Sequence, residues 1–400
     1  MNALQKYYGN IEEKPHYCSR RLIFIMADQP MDGNDKKGSD LDPDMRVEQN
    51  GLWGLKWLSP EEKPFRLSGF SWFEQERLFR RLPLHSRHPI PPVVDVLANH
   101  TAGGQLAFQT RSGQLAIRVQ LANKADLYHM PATGQCGFDL YLGKPGEQVF
   151  YRTSQYDHTQ DYFEAMLYDF PAAEMRHVTL NFPLYQGVKA LAIGVDSEAA
   201  IEAPLPYRND RKVIIYGTSI TQGACASRPG MAYTNILSRR IPLEIMNLGF
   251  SGSGCGEPEM AHIITEIDNP AMLVLDYEAN AINPDLLKQT LPEFIRIYRA
   301  AYPVVPILVI SKMEFASESF VPDMRTLRLE MGRIQRETVE KLRQQGDSHL
   351  HFYDGSTLLG TDETRFECTV DGVHPTDLGF MRMADKLTPV FKQLLQHELA

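Results

Sequence analysis

Beyond residue 211, five short apolar runs lie at residues 212–216, 244–248, 272–277, 306–310 and 350–353. Stretches with helical spacing of apolar residues separate them, at residues 233–240, 258–267, 284–300 and 324–344. The runs carry few polar side chains, as strands do when both of their faces are covered. Strand–helix alternation of this kind predicts a parallel sheet with helices on both sides, a three-layer α/β fold. In such sheets ligands sit beyond the carboxyl ends of the strands, so the loops that follow the runs are where chemistry is expected.

The earlier half has a different rhythm. Residues 105–110, 114–121, 137–142, 148–152, 162–168 and 177–182 are short alternating or aromatic-rich runs broken by Gly, Pro and Asn. In the second of them Leu115, Ile117, Val119 and Leu121 alternate with smaller or polar residues, which is the period of a half-buried strand. Arg111-Ser112-Gly113 marks a turn before it. This pattern predicts an all-β sandwich of jelly-roll type. Two prolines and a polar cluster at residues 203–210 suggest a linker, giving a β-sandwich over residues 46–203 and an α/β domain over residues 204–400. Residues 28–45 are poor in large apolar side chains and rich in Asp, Gly and Pro, so residues 1–45 are expected to be a flexible arm.

Residues able to do chemistry fall at the ends of the predicted parallel strands. The first strand runs into Gly217-Thr218-Ser219, where a glycine permits a sharp turn and exposes the serine. The second ends in Asn247-Leu248-Gly249-Phe250-Ser251-Gly252-Ser253-Gly254, a glycine-rich turn whose N–H groups can face a developing oxyanion. The third ends in Asp276-Tyr277-Glu278-Ala279-Asn280, and an asparagine there can offer its amide as a further donor. After the last strand comes Asp371-Gly372-Val373-His374-Pro375. An aspartate three residues upstream can fix the histidine's tautomer, and Pro375 keeps His374 out of helical dihedrals. The helix expected after it repeats Phe380, Ala384, Leu387, Phe391 and Leu394 on one face, with a kink expected at Pro389.

Each of these segments alone is a weak signal; their order is specific. From residue 211 to 390 the chain resembles the SGNH (GDSL-like) hydrolases, whose sheet is flavodoxin-like. The resemblance implies Ser219 as nucleophile, His374 as base and Asp371 as its orienting partner. It implies an oxyanion hole made by the N–H of Ser219, Gly252 and the Asn280 side chain. Two positions depart from the family: Thr218 stands where Asp is commoner, and the third segment reads Tyr-Glu-Ala-Asn rather than Gly-x-Asn-Asp. Gly137-Phe138-Asp139-Leu140-Tyr141 looks like the Gly-x-Asp-Leu-Tyr signature of a β-sandwich domain that precedes some of these hydrolases. Thr221-Gln222-Gly223-Ala224 and Ser227-Arg228-Pro229-Gly230 also resemble that subgroup; Arg228 either contacts substrate or pairs a carboxylate, and surface pairing is the commoner use of such a residue.

The implied activity is hydrolysis of a short acyl ester, acetyl foremost, on a carbohydrate alcohol, through an acyl-enzyme and with neither metal nor organic cofactor. Phospholipase or thioesterase activity with the same triad is the alternative, as is a carbohydrate-binding protein with an inactive hydrolase half. Forty-one Lys and Arg against fifty Asp and Glu give a formal charge of −9, which argues against nucleic-acid and anionic-membrane partners. The longest early apolar run, residues 22–27, fits neither a signal peptide nor a membrane span, so a cytoplasmic location is expected. Cys18, Cys136, Cys225, Cys255 and Cys368 show no metal-ligand spacing and are expected to be free thiols.

Overall fold

A computed structural model of the chain describes residues 54–400. The expected arm and the apolar run at residues 22–27 lie outside the described residues.

Alternating inward side chains build the first half into two antiparallel sheets. One has the order β1-β9-β4-β7, with β1 Leu55–Leu58, β4 Gln114–Leu121, β7 Tyr162–Asp169 and β9 Val188–Asp196. The other has the order β10-β3-β8-β5-β6, with β3 Gln105–Thr110, β5 Asp139–Leu142, β6 Val149–Thr153, β8 Arg176–Asn181 and β10 Ile201–Glu202. A short strand β2, Arg66–Ser68, shares the β3 edge with β10. Leu115, Ile117, Val119 and Leu121 face Leu106, Phe108, Leu140 and Leu180 in one sandwich core. Phe182 seals its end, with ring centroids 5.0 Å from Phe138 and 5.3 Å from Phe70. The six sequence-expected strands are present; β1, β2, β9 and β10 join them.

The second half is a parallel sheet of order β12-β11-β13-β14-β15. Its strands are β11 Lys212–Gly217, β12 Glu244–Gly249, β13 Pro270–Asp276, β14 Ile307–Ile310 and β15 Leu350–Tyr353. The order 2-1-3-4-5 is that of flavodoxin-like sheets. Along β11 the pleat sends Ile214 and Tyr216 to one face and Val213 and Ile215 to the other. The first face packs on helices Pro258–Ile264, Pro284–Ala301 and Pro322–Gln344, and the second on Tyr233–Arg240 and Asp377–Leu394. The C-terminal helix runs on through Pro389 as one element. Burial of Phe380, Ala384, Leu387 and Phe391 along one side holds it across the missing N–H. No helix among the described residues is long and apolar enough to cross a membrane.

Sandwich and sheet layers share their cores. Leu82, Val94 and Ala98 belong to the same apolar cluster as Met246, Leu248 and Phe250, and Ala102, Met130 and Leu184 to that of Val213 and Tyr233. Arg81 fixes this junction. Its guanidinium is fully buried and donates to the carbonyls of Leu97 (2.8 Å), His100 (2.7 Å), Asn247 (3.2 Å) and Gly249 (2.6 Å), while lying over the Phe250 ring. Burial lowers its pKa to about 9, so it stays charged at neutral pH with carbonyl dipoles as its compensation. Arg81→Leu removes the donors and strands those carbonyls, which should cost about 3–5 kcal/mol of unfolding free energy. A urea titration showing a loss below about 1 kcal/mol would mean that water replaces the guanidinium.

Candidate active site

The end of β11 and the helix Ser219–Gln222 form a turn with almost no spare volume. Gly217 is required there for space rather than for an unusual dihedral, since a Cβ would sit 2.0 Å from Thr221 Oγ1 and 2.7 Å from the Asp276 carbonyl. Thr218 caps the helix, its hydroxyl accepting from the Ile220 N–H at 3.2 Å. Asn247 on β12 donates to the Thr221 carbonyl at 2.7 Å, tying the helix to the neighbouring strand. Ser219 is therefore the first helical residue, held on a rigid support, and it is 9% exposed.

Its hydroxyl lies 2.9 Å from Nε2 of His374. On the far side of that ring, Nδ1 lies 2.8 Å from Asp371 Oδ2, and Asp371 Oδ1 accepts the backbone N–H groups of His374 (2.8 Å) and Val373 (3.0 Å). Burial raises the Asp371 pKa, but hydrogen bonds from the His374 N–H and ring outweigh it, and the group is held below the usual carboxylate range. An ionised Asp371 has no proton to give, so Nδ1 carries the shared one and the Nε2 lone pair of the neutral ring faces Ser219. The loop is closed by bonds from the Val370 N–H to the His374 carbonyl (2.9 Å) and from the Thr376 N–H to the Cys368 carbonyl (2.7 Å).

Gly252 is exposed in the loop after β12 with φ +65°, and among the described residues neither its N–H nor that of Ser219 has an acceptor. Gln222 fixes this loop: its Oε1 accepts the Ser251 N–H at 3.1 Å, while its Nε2 donates to Nδ1 of His100 (3.1 Å) and the Leu184 carbonyl (3.1 Å). Burial, with the nearby Arg81 charge, lowers His100 to about 4, so its ring is neutral and can accept. Asn280 lies on the short 3-10 turn Glu278–Asn280 and donates to the Phe250 carbonyl at 3.2 Å, which ties it to the Gly252 loop. Buried Glu278 anchors that turn through the Lys312 N–H (2.7 Å) and Gln335 Nε2 (3.0 Å).

Asp276, beside the helix Ser219–Gln222, accepts from Thr221 Oγ1 (2.9 Å) and the Tyr233 hydroxyl (2.8 Å). Burial raises it to about 6 although both hydroxyls pull the other way. The folded group thus holds its proton more tightly than an ordinary carboxylate, so folding binds a proton; the penalty is absent below about pH 4 and full above about pH 6. Asp276→Asn should therefore gain on wild type by about 1–3 kcal/mol as pH rises from 4 to 7. An unfolding free-energy difference that stays flat across that range would show that Asp276 ionises without cost.

The sandwich reaches this site with residues that the sequence did not single out. The Tyr185 hydroxyl donates to the Ser219 carbonyl at 3.3 Å, and the His129 ring meets that of His374 edge-on at 5.7 Å. Cys225, buried with φ +70°, stands beside both histidines; burial, then the Asp371 charge, pushes its thiol up to about 12. Cys136, Cys255 and Cys368 are likewise free thiols, and Cys18 lies outside the described residues. Arg228 is not a surface pair. It donates to fully buried Asp139 at 2.8 Å and to the Tyr141 hydroxyl at 2.6 Å, and Asp139 also accepts the Gly230 N–H (2.8 Å) and Asn181 Nδ2 (2.7 Å). The neighbouring Ser227 N–H donates to Asp377 at the start of the C-terminal helix (2.8 Å). One sandwich motif thus clasps the loop that abuts the His374 segment.

The sequence profile of the GDSL-like lipase/acylhydrolase family matches residues 210–392, and that of GxDLY, the N-terminus of Esterase_SGNH_hydro-type, matches residues 55–201. A GDSL-like lipase from Bacteroides ovatus is 32% identical with a TM-score of 0.78, over 86% of this chain and 98% of that one. The chain belongs to the GDSL-like lipase/acylhydrolase family. It is accordingly an ester hydrolase of the serine type, with the SGNH fold behind a β-sandwich. The same fold recurs in the salicylyl-acyltransferase SsfX3 from a tetracycline biosynthetic pathway, at 19% identity and a TM-score of 0.67 over 86% of this chain and 98% of that one. It recurs too in a family two carbohydrate esterase from Cellvibrio japonicus, at 13% identity and a TM-score of 0.58 over 86% and 99%. No curated protein matches this hydrolase in sequence.

Proposed function

We propose that this hydrolase removes a short acyl group, acetyl foremost, from a carbohydrate alcohol by a Ser219-His374-Asp371 mechanism. The observation that carries the reading is the 2.9 Å approach of Ser219 Oγ to Nε2 of a ring whose Nδ1 is engaged by Asp371. His374 takes the hydroxyl proton as Ser219 attacks the ester carbonyl, and Asp371 stabilises the imidazolium that forms. The N–H groups of Ser219 and Gly252, together with the free N–H of the Asn280 amide, receive the oxyanion. His374 returns the proton to the leaving alcohol, and the same steps with water release the acid and free the serine.

Two features favour a small acyl group on a sugar. Ser219 is nearly covered and has the Tyr185 hydroxyl on its carbonyl, a setting suited to few acyl carbons. At the mouth, Tyr128 is 93% exposed and stacks on His129 at 4.7 Å, presenting a ring face of the kind that packs on pyranose C–H groups. The likeness to a carbohydrate esterase over 99% of its length agrees with this reading. A panel of acetylated saccharides, longer acyl esters, acyl-thioesters and phospholipids tests it, with the highest kcat/KM expected for the acetylated saccharides. Faster turnover of a thioester or phospholipid would replace the carbohydrate assignment. Within the proposed oxyanion hole, Asn280→Ala should cut kcat by about 10²–10³ with little change in KM. A near-normal kcat would leave the hole to backbone donors alone.

A further inference from the structure

We infer that His129, Cys225 and His374 form an inhibitory site for a thiophilic divalent cation, of which Zn²⁺ is the common case. The three come from distant parts of the chain, yet one ligand atom of each lies within 4.8 Å of the others. A cation bonded to two nitrogens at about 2.0–2.1 Å and a sulfur at about 2.3 Å needs ligand atoms roughly 3.3–3.8 Å apart, so side-chain closure of about 1 Å suffices. Two imidazoles and a thiolate select zinc-like cations over Mg²⁺ and Ca²⁺, which want oxygen ligands.

Two further observations point to a ligand here. His129 Nδ1 is buried with no hydrogen-bond partner, a donor atom left unused beside the catalytic ring. Asp371 holds Nδ1 of His374 at 2.8 Å, which aims Nε2 outward in the way that carboxylates orient zinc-bound histidines. The arrangement that makes His374 a base therefore also makes it a ligand. On binding, Cys225 releases its thiol proton to solvent, two imidazole nitrogens and the thiolate donate electron pairs to the cation, and water or Ser219 Oγ takes the fourth position. The bond between Ser219 Oγ and His374 Nε2, 2.9 Å long in the free protein, is lost. Catalysis stops because no lone pair remains to accept the serine proton.

The effect on rate rests on the proposed role of His374; the binding itself does not. Zn²⁺ titrated into the full chain should inhibit ester hydrolysis reversibly, with recovery on adding a chelator. Inhibition is read as the Zn²⁺ concentration that halves each variant's own zinc-free rate, and for Cys225→Ser and His129→Phe that concentration should rise by about 10–100-fold over wild type. Calorimetry with Zn²⁺ on Ser219→Ala, which needs no activity, should show one site that Cys225→Ser abolishes in the same background. Binding to Ser219→Ala without inhibition of wild type would keep the site and remove His374 as the base. Equal inhibition of wild type and both ligand variants, or no binding to Ser219→Ala, would overturn the proposal.

Discussion

Ser219→Ala is expected to lower kcat by about 10⁶-fold while leaving the unfolding midpoint nearly unchanged. The side chain's one described contact is with His374, and alanine suits the first turn of a helix at least as well as serine does. The backbone N–H of residue 219 stays in place, so residual turnover should reflect the remaining oxyanion donors and substrate binding. Active-site titration with a fluorophosphonate, followed by mapping of the labelled peptide, checks the assignment in wild type. A label on Ser251 or Ser253, both on the neighbouring loop, would move the nucleophile off the β11 turn.

Asp371→Asn should cost about 10⁴-fold in kcat, more than loss of a single oxyanion donor. Asparagine can still accept the Val373 and His374 backbone N–H groups through one oxygen, so the loop should keep its shape. Its NH₂ then faces Nδ1 of His374 and favours the tautomer with the proton on Nε2. A protonated Nε2 cannot take a proton from Ser219. Rates for Asp371→Asn and Asp371→Ala on a small aryl acetate distinguish tautomer from charge: the asparagine variant should be no faster than alanine. An asparagine variant within ten-fold of wild type would show that Asp371 only shapes the turn.

The parts of the site that the sequence displayed are local or sit at strand ends. Asp371 and His374 share one loop, so their contact could be read from a spacing of three. Ser219, Gly252 and Asn280 follow consecutive buried strands, and the topology of a parallel sheet brings such loops together. His129, Cys225 and Tyr185 belong to no common period. They meet only because the sandwich packs against the sheet, and long-range packing leaves no mark on local spacing. Arg228 was legible as a partner of a carboxylate but not as a buried one, since the depth of Asp139 depends on the same packing. Strand β9 has Ala190, Ala192 and Gly194 between its apolar residues and no turn signal inside it, which blurs its alternation.

The buried guanidinium of Arg81 bears on how the protein is made. Translation delivers the sandwich first, with Leu82, Val94 and Ala98 awaiting partners that begin at Ile214. Until β12 emerges, two of the four carbonyls that receive Arg81 do not yet exist, and a cation faces an uncovered apolar surface. Burial of the Arg81 guanidinium must therefore wait for residues 244–249. His374 is synthesised last among the site's residues. Catalytic competence should therefore arrive abruptly, after the sandwich has already committed to its place.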